Sequence, residues 1–260
     1  MSEYFQFWNQ DATIQMISLD YGVQVLADEI SGAVPDYDKI SVPGRNGDLH
    51  IPKNRFQNRT RKITVYCESN AKEQFEKLNA ILLSTTPGGY GNLESTLDTY
   101  TVDEGGITRK YPYRMQALYK GGFFPDKMTP GMDAARAVLV FDCKPEKVLT
   151  GYSSGITVAG GGSASFNNPT DFEAYAIVHA NGEGRAYIGD TRFDIPDSVG
   201  ETIVIDSTRM AIYGGGTLNN LTDKVELYHD TFPYLKKGVN TIISSTSTLS
   251  IVVYPRVWTL

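Results

Sequence analysis

Apolar and polar side chains alternate imperfectly along this 260-residue chain, and short runs of aromatic and β-branched residues recur between turn residues. Such alternation belongs to half-buried strands, because successive strand side chains point to opposite faces. Phe5, Phe7 and Trp8 open the chain with aromatic residues, and Ile14–Leu26 alternates imperfectly around a turn at Asp20-Tyr21-Gly22. Gly22 accepts the positive φ that such a turn requires. Further strands are predicted at 63–67, 92–97, 111–120 and 135–143. Beyond residue 155 they become short and frequent, at 156–159, 163–167, 173–181, 184–188, 191–195, 202–206, 210–213, 225–228, 240–244 and 248–253. Turn residues separate them about every 8–12 positions, the pattern of an antiparallel sandwich.

One segment breaks the pattern. Ala71, Phe75, Leu78 and Leu82 fall at i, i+4, i+7 and i+11, so residues 71–84 are predicted as one amphipathic helix packed on a sheet. Asn70 and Glu73 are spaced for a capping box, and Thr85-Thr86-Pro87-Gly88-Gly89 ends the helix. Residues 36–60 hold few apolar side chains. Pro43-Gly44 and Asn46-Gly47 are turn chemistry, which predicts a long hairpin or arm; a floppy surface loop is the competing expectation. Arg55, Arg59, Arg61 and Lys62 lead from it into the next strand. The Gly/Pro-rich segment 121–133 carries Phe123, Phe124, Met128 and Met132, which either meet a partner or tuck back into the core. Lys144-Pro145 and then residues 150–155 read as a linker and boundary, dividing the chain into domains 1–146 and 147–260.

Composition narrows the chemistry. Tyr (16) and Phe (11) favour pleated sheet. Twenty-four Lys and Arg against 30 Asp and Glu give a net charge of −6, without the basic footprint of a nucleic-acid binder. No apolar run reaches the ~18 residues of a membrane span, and the N-terminus lacks the pattern of a secretory signal. Cys67 and Cys143 are spaced for neither a metal nor a redox motif; two reduced thiols are expected, one disulfide being the alternative. His50, His179 and His229 include no pair at zinc-site spacing. No nucleophile elbow or phosphate loop occurs, and the glycine triplets 160–162 and 214–216 lack a strand-to-helix setting. No catalytic residue, metal or cofactor is therefore expected. Two other classes remain. A carbohydrate-binding module that helps adhesion to a cell surface would use Tyr175, Tyr187, Tyr213 and Tyr228 with His179, Asn181 and Arg185, although a strand tyrosine more often packs across strands. A glycosidase would need two carboxylates about 5–10 Å apart, which 30 acidic residues always permit.

The order of several segments carries a resemblance over essentially the whole chain. They are Val42-Pro43-Gly44-Arg45-Asn46-Gly47-Asp48-Leu49, the 71–84 helix, Leu139-Val140-Phe141-Asp142-Cys143-Lys144-Pro145, Asn168-Pro169, and Ile203-Val204-Ile205-Asp206-Ser207. In the ending the carriers are Phe232-Pro233, Gly238-Val239-Asn240 and Pro255-Arg256. Together they resemble the distal tail proteins (Dit) of siphophages, baseplate hub components. Thr170 and Tyr175-Ala176 depart from the family, which tends to have Gly after Asn-Pro and a Pro in the next strand.

The resemblance implies a mainly β, two-domain fold. The first domain would be a tail-tube-like β-sandwich with one helix and an extended hairpin arm; the second, a galectin-like antiparallel β-sandwich. It implies a non-enzymatic virion protein, made in the host cytoplasm and located at the tail tip. A homo-hexameric ring would join the tail tube protein to the tail-associated hub protein, anchor receptor-binding proteins or side fibres, and leave a channel for DNA. No membrane or sequence-specific nucleic acid is implied as a partner. A ring closes through heterologous contacts, so one copy must reach the next. Arg45, Asn46, Leu49 and Ile51 in the arm, with Phe123, Phe124 and Met128 in the loop, are the candidate oligomer and partner contacts.

Overall fold

The computed structural model describes residues 2–9, 12–44, 46–85, 89–104, 107–123, 133–152 and 154–260. It is mainly β, with antiparallel sheets and, among the described residues, one α-helix. The chain gathers into two compact units: Met1–Tyr100 with Pro112–Lys147 and Leu260, and Thr101–Tyr111 with Val148–Thr259.

In the first unit the strands are β1 (Phe5–Trp8), β2 (Gln15–Ile17), β3 (Val23–Ile30), β4 (Pro35–Ile40), β5 (Leu49–Phe56), β6 (Arg59–Cys67), β7 (Gly91–Glu104), β8 (Ile107–Phe123) and β9 (Ala135–Cys143). The main sheet runs β2-β1-β7-β8-β9-β6-β3, while β4 and β5 form a separate two-stranded sheet. β7 and β8 are longer than the 92–97 and 111–120 segments predicted. Their polar outer ends, Thr101–Tyr111, group with the second unit.

Alternation decides the core. Arg59, Arg61, Ile63, Val65 and Cys67 of β6 all point inward, as do Ala137, Leu139, Phe141 and Cys143 of β9. Phe141 is the centre of a ring cluster, its centroid 6.3 Å from that of Phe5, 5.8 Å from Phe7 and 5.3 Å from Tyr119. Helix α1 (Ala71–Thr85) packs on β6 and β9. Its predicted stripe is the buried one: Ala71, Phe75, Leu78 and Leu82 are all inside. Burial of such side chains contributes about 1.5–3 kcal/mol each for the large ones. The expected capping box is absent. Asn70 sits at φ 50, in the left-handed region rather than the extended one an N-cap uses. Glu73 pairs instead with Lys77 one turn on, at 2.7 Å. Cys67 and Cys143 are both buried free thiols.

After β10 (Lys147–Leu149), the second unit carries two sheets. One contains β11 (Ile156–Val158), β13 (Ala174–Asn181), β16 (Ile203–Asp206), β17 (Ala211–Gly214), β19 (Tyr234–Leu235) and β21 (Ser250–Arg256). The other orders β12 (Ser163–Asn168), β20 (Gly238–Ser244), β14 (Gly184–Ile188), β15 (Thr191–Ile195) and β18 (Glu226–Leu227). Each presents a buried row, Ala174, Ala176, Val178 and Ala180 on β13 and Phe193 and Ile195 on β15, as facing sheets of a sandwich do. Thr170, where the resembled family tends to have Gly, is buried. Its backbone N–H and hydroxyl both donate to Asn168 Oδ1, so a side-chain turn does the work of a glycine. The last strand, β22 (Trp258–Thr259), pairs with β10; Trp258 stacks on Phe172 at 4.4 Å and donates from Nε1 to the Glu173 carbonyl.

Phe141→Ala empties the ring cluster and is expected to destabilise the first unit by about 3–5 kcal/mol. Urea unfolding followed by near-UV circular dichroism measures it; a loss under 1 kcal/mol contradicts the central place given to this ring.

Candidate assembly surface

The arm predicted for residues 36–60 is the β4–β5 ribbon. Its register pairs Tyr37 with Pro52, Asp38 with Ile51, Lys39 with His50 and Ile40 with Leu49. The connecting turn holds Gly44 at φ 79 and Gly47 at φ 85, a conformation that costs glycine little. Near the root the ladder is irregular: between the Pro35 and Tyr37 rungs β5 carries extra residues, with Asn54 left-handed at φ 54.

Pairing divides the side chains by face. One face holds Tyr37, Lys39, His50 and Pro52. The Tyr37 and His50 rings stack at 4.5 Å, and the Lys39 ammonium lies 5.9 Å from the Tyr37 centroid. The other face holds Ile40, Leu49 and Ile51 beside Asp38, whose carboxylate receives the Lys53 ammonium at 2.6 Å. Ile40, Leu49 and Ile51 are 44%, 41% and 44% exposed, and Val42 in the turn is 37% exposed. An isolated hairpin is marginal in water, and an exposed apolar group on an edge ribbon marks a contact surface.

The root is fastened. Ser31 N–H donates to the Thr60 carbonyl, Thr60 N–H to Ser31 Oγ, and Gln57 N–H to the Val34 carbonyl, all at 2.9–3.0 Å. Arg55 pairs with Asp36 at 2.7 Å, and that hydrogen bond holds the Asp36 carboxyl below its ordinary range; the hydrogen bond from Lys53 to Asp38 raises Lys53.

The structure thus brings Leu49 and Ile51 together on one face, with Asn46 exposed in the turn. Ile40 completes that face, and Val42 adds an exposed apolar side chain to the turn. Neither was among the candidates, although Ile40 and Val42 alternate in the sequence as strand neighbours do. Arg45, Phe124 and Met128 lie outside the described residues. The backbone of Phe123 ends β8, paired with Val138.

The residues considered for sugar binding divide between sheets. Arg185 and Tyr187 are on β14, with Tyr228 after β18, whereas Tyr175, His179, Asn181 and Tyr213 belong to β13 and β17. Arg185 is engaged with Asp194 at 2.9 and 3.2 Å, Arg192 lies over the Tyr228 ring, and His179 meets Tyr254 edge-on. Among the described residues no group of three or more His, Cys, Asp or Glu is placed to hold a metal, and no helix is long and apolar enough to cross a membrane.

Compared with solved structures, the chain superposes on the Dit protein (gp 19.1) of phage SPP1 with a TM-score of 0.56 and 13% identity, over 98% of this chain and 99% of that one. The chain has the Dit fold. Two structures of the phage p2 baseplate in its activated conformation, with Sr and with Ca, give TM-scores of 0.47 and 0.46 at 11% and 12% identity, each over 97% of this chain and 98% of the other. No protein-family model and no curated protein matches the sequence. On this Dit fold, the arm presents an exposed apolar face.

Asp36 is expected to titrate below 3.8 in carbon-detected NMR, and Arg55→Gln to return it toward that ordinary value. An Asp36 midpoint unchanged by the substitution shows that the ion pair does not order the arm in solution.

Proposed function

We propose that this protein is a structural, non-enzymatic component of a phage tail tip, closing as a homo-hexameric ring. The observation that carries the reading is the Dit fold over nearly the whole chain, matched to an SPP1 protein described as a paradigm of the hub adsorption apparatus in phages that infect Gram-positive bacteria. The exposed apolar face of the arm supports it independently. In this reading residues 1–146 form the tail-tube-like, ring-forming domain and 147–260 a galectin-like domain. The ring joins the tail tube to the tail-associated hub protein, leaves a channel for DNA, and anchors receptor-binding proteins or side fibres. The protein is made in the host cytoplasm and resides in the virion. The arm residues Arg45, Asn46, Leu49 and Ile51, joined by Ile40 and Val42, lie against the neighbouring copy; Phe123, Phe124 and Met128 supply a second contact.

Exposed positions can be changed with little effect on the isolated fold, within about 0.5 kcal/mol. The double variant Leu49→Ser, Ile51→Ser is therefore expected to keep the wild-type melting temperature and lose the ring. Light scattering with negative-stain imaging reads both: six chains about one axis for wild type, single chains for the variant. A wild-type particle without rotational symmetry overturns the ring. Unchanged assembly of the variant removes the arm from the interface, and the same measurement on Phe123→Ser, Phe124→Ser decides the loop.

A further inference from the structure

β6 carries two arginines into the interior, two residues apart. Arg59 is 6% and Arg61 0% exposed. Arg61 grips Asp28 with two bonds, Nε to Oδ1 at 2.8 Å and Nη2 to Oδ2 at 2.6 Å. Arg59 has no such partner: its Nε donates to the Ser31 carbonyl at 2.7 Å. Among the described residues the Nη1 groups of both arginines are buried without any acceptor.

The charges around them can be counted. The part-buried Lys147 ammonium lies 4.6 Å from the Tyr113 centroid, and the Arg61 guanidinium 5.3 Å from the same ring. Tyr113 donates its hydroxyl to Asp98. Cys143 is the cross-strand partner of Arg59; burial pushes its thiol up to about 12, and burial likewise raises Tyr113, so both are neutral at pH 7. Asp142 points to the other side of β9, where it accepts from Asn58 at 3.0 Å, and Lys144 sits over the neighbouring Tyr90 ring. Among the described residues two buried cations (Arg59, Arg61) face one buried carboxylate (Asp28), while the half-buried Lys147 and Asp98 offset each other. One positive charge and two guanidinium nitrogens are left over. Buried charge is costly unless matched, and a buried donor without an acceptor adds to that cost.

We infer that this cluster is a binding site for a small monovalent anion of halide size, held by the Nη1 groups of Arg59 and Arg61. Water supplies an acceptor but no charge; a halide supplies both. The site has a mechanical consequence. Arg59 holds the carbonyl of Ser31, the first residue beyond β3 toward the arm, so an anion that fixes its guanidinium also stiffens the arm's root. The assignment holds whether or not the chain assembles into a ring.

The test is thermal unfolding of the intact chain at pH 7, with chloride replacing gluconate at constant ionic strength. A saturable rise in melting temperature of about 3–5 °C is expected, since a ligand that binds only the folded state stabilises it by mass action. Bromide-soaked crystals are expected to show an anomalous peak within reach of both Nη1 groups. Arg59→Met, which keeps the apolar stem, is expected to lose the chloride response; the bromide experiment on wild type stands even if that variant does not fold. Equal melting in chloride and gluconate, water in place of bromide at the guanidinium groups, or a chloride response retained by Arg59→Met each overturns the assignment.

Discussion

The β4–β5 ribbon has no core of its own, and that constraint organises the first unit around it. Two paired strands satisfy only their facing backbone groups, and their outer edges remain open. Exposed ion pairs such as Lys53–Asp38 contribute at most about 1 kcal/mol each. Order in the arm therefore has to come from its root or from whatever covers its apolar face. The root is the end of the β3–β6 pair, where Ile30 faces Arg61 and the chain leaves β3 at Ser31 and returns at Arg59. The arm is an excursion of one antiparallel pair, and the hydrogen bonds at Ser31 and Thr60 are where it is tied.

Register at that root is set by a bulge and an ion pair acting together. β3 pairs Val25 with Val65 but Ala27 with Thr64, so Leu26 is an extra residue and lies largely exposed. The insertion reverses which positions face inward: Val23 and Val25 are buried before it, and the Asp28 side chain is buried after it. Without the extra residue, Asp28 would point to solvent and Arg61 would be buried alone. A buried ion pair is seldom more stabilising than apolar packing, but removing one partner is severe. Here it penalises a slipped register, which would turn β3 side chains to the wrong face.

Much of this was readable beforehand because spacing and turn chemistry are local. The stripe of α1, the extent of β9, and the hairpin strands β14 and β15 match the segments predicted from apolar spacing, residue type and flanking turn residues. What could not be read depended on distant partners. Arg59 and Arg61 share the parity of Ile63 and Val65, yet charge suggests a solvated position until Asp28 is found beside Arg61 on the neighbouring strand. The outer ends of β7 and β8 have few apolar residues, so their strand character comes from pairing rather than pattern. In the arm, Asn46-Gly47 announced a turn, but the sequence did not reveal that Ile40 shares a face with Leu49 and Ile51. That follows from the register beyond the irregularity at Asn54.

The energetics of the arm favour a prepared shape over a disordered one. A segment that folds only on contact loses its conformational freedom at that moment, and the loss is subtracted from the affinity. The ribbon is already paired, with a stacked Tyr37–His50 face and ion pairs along its length. Each of those contacts is weak alone. Their shared effect is to hold Ile40, Leu49 and Ile51 in one row, so that under the proposed assembly burying the row would contribute to binding rather than to ordering. Root and face are then coupled: whatever loosens Arg59 and Ser31 lets the row wander, and under the proposed assembly it would weaken a contact many residues away without touching any atom in it.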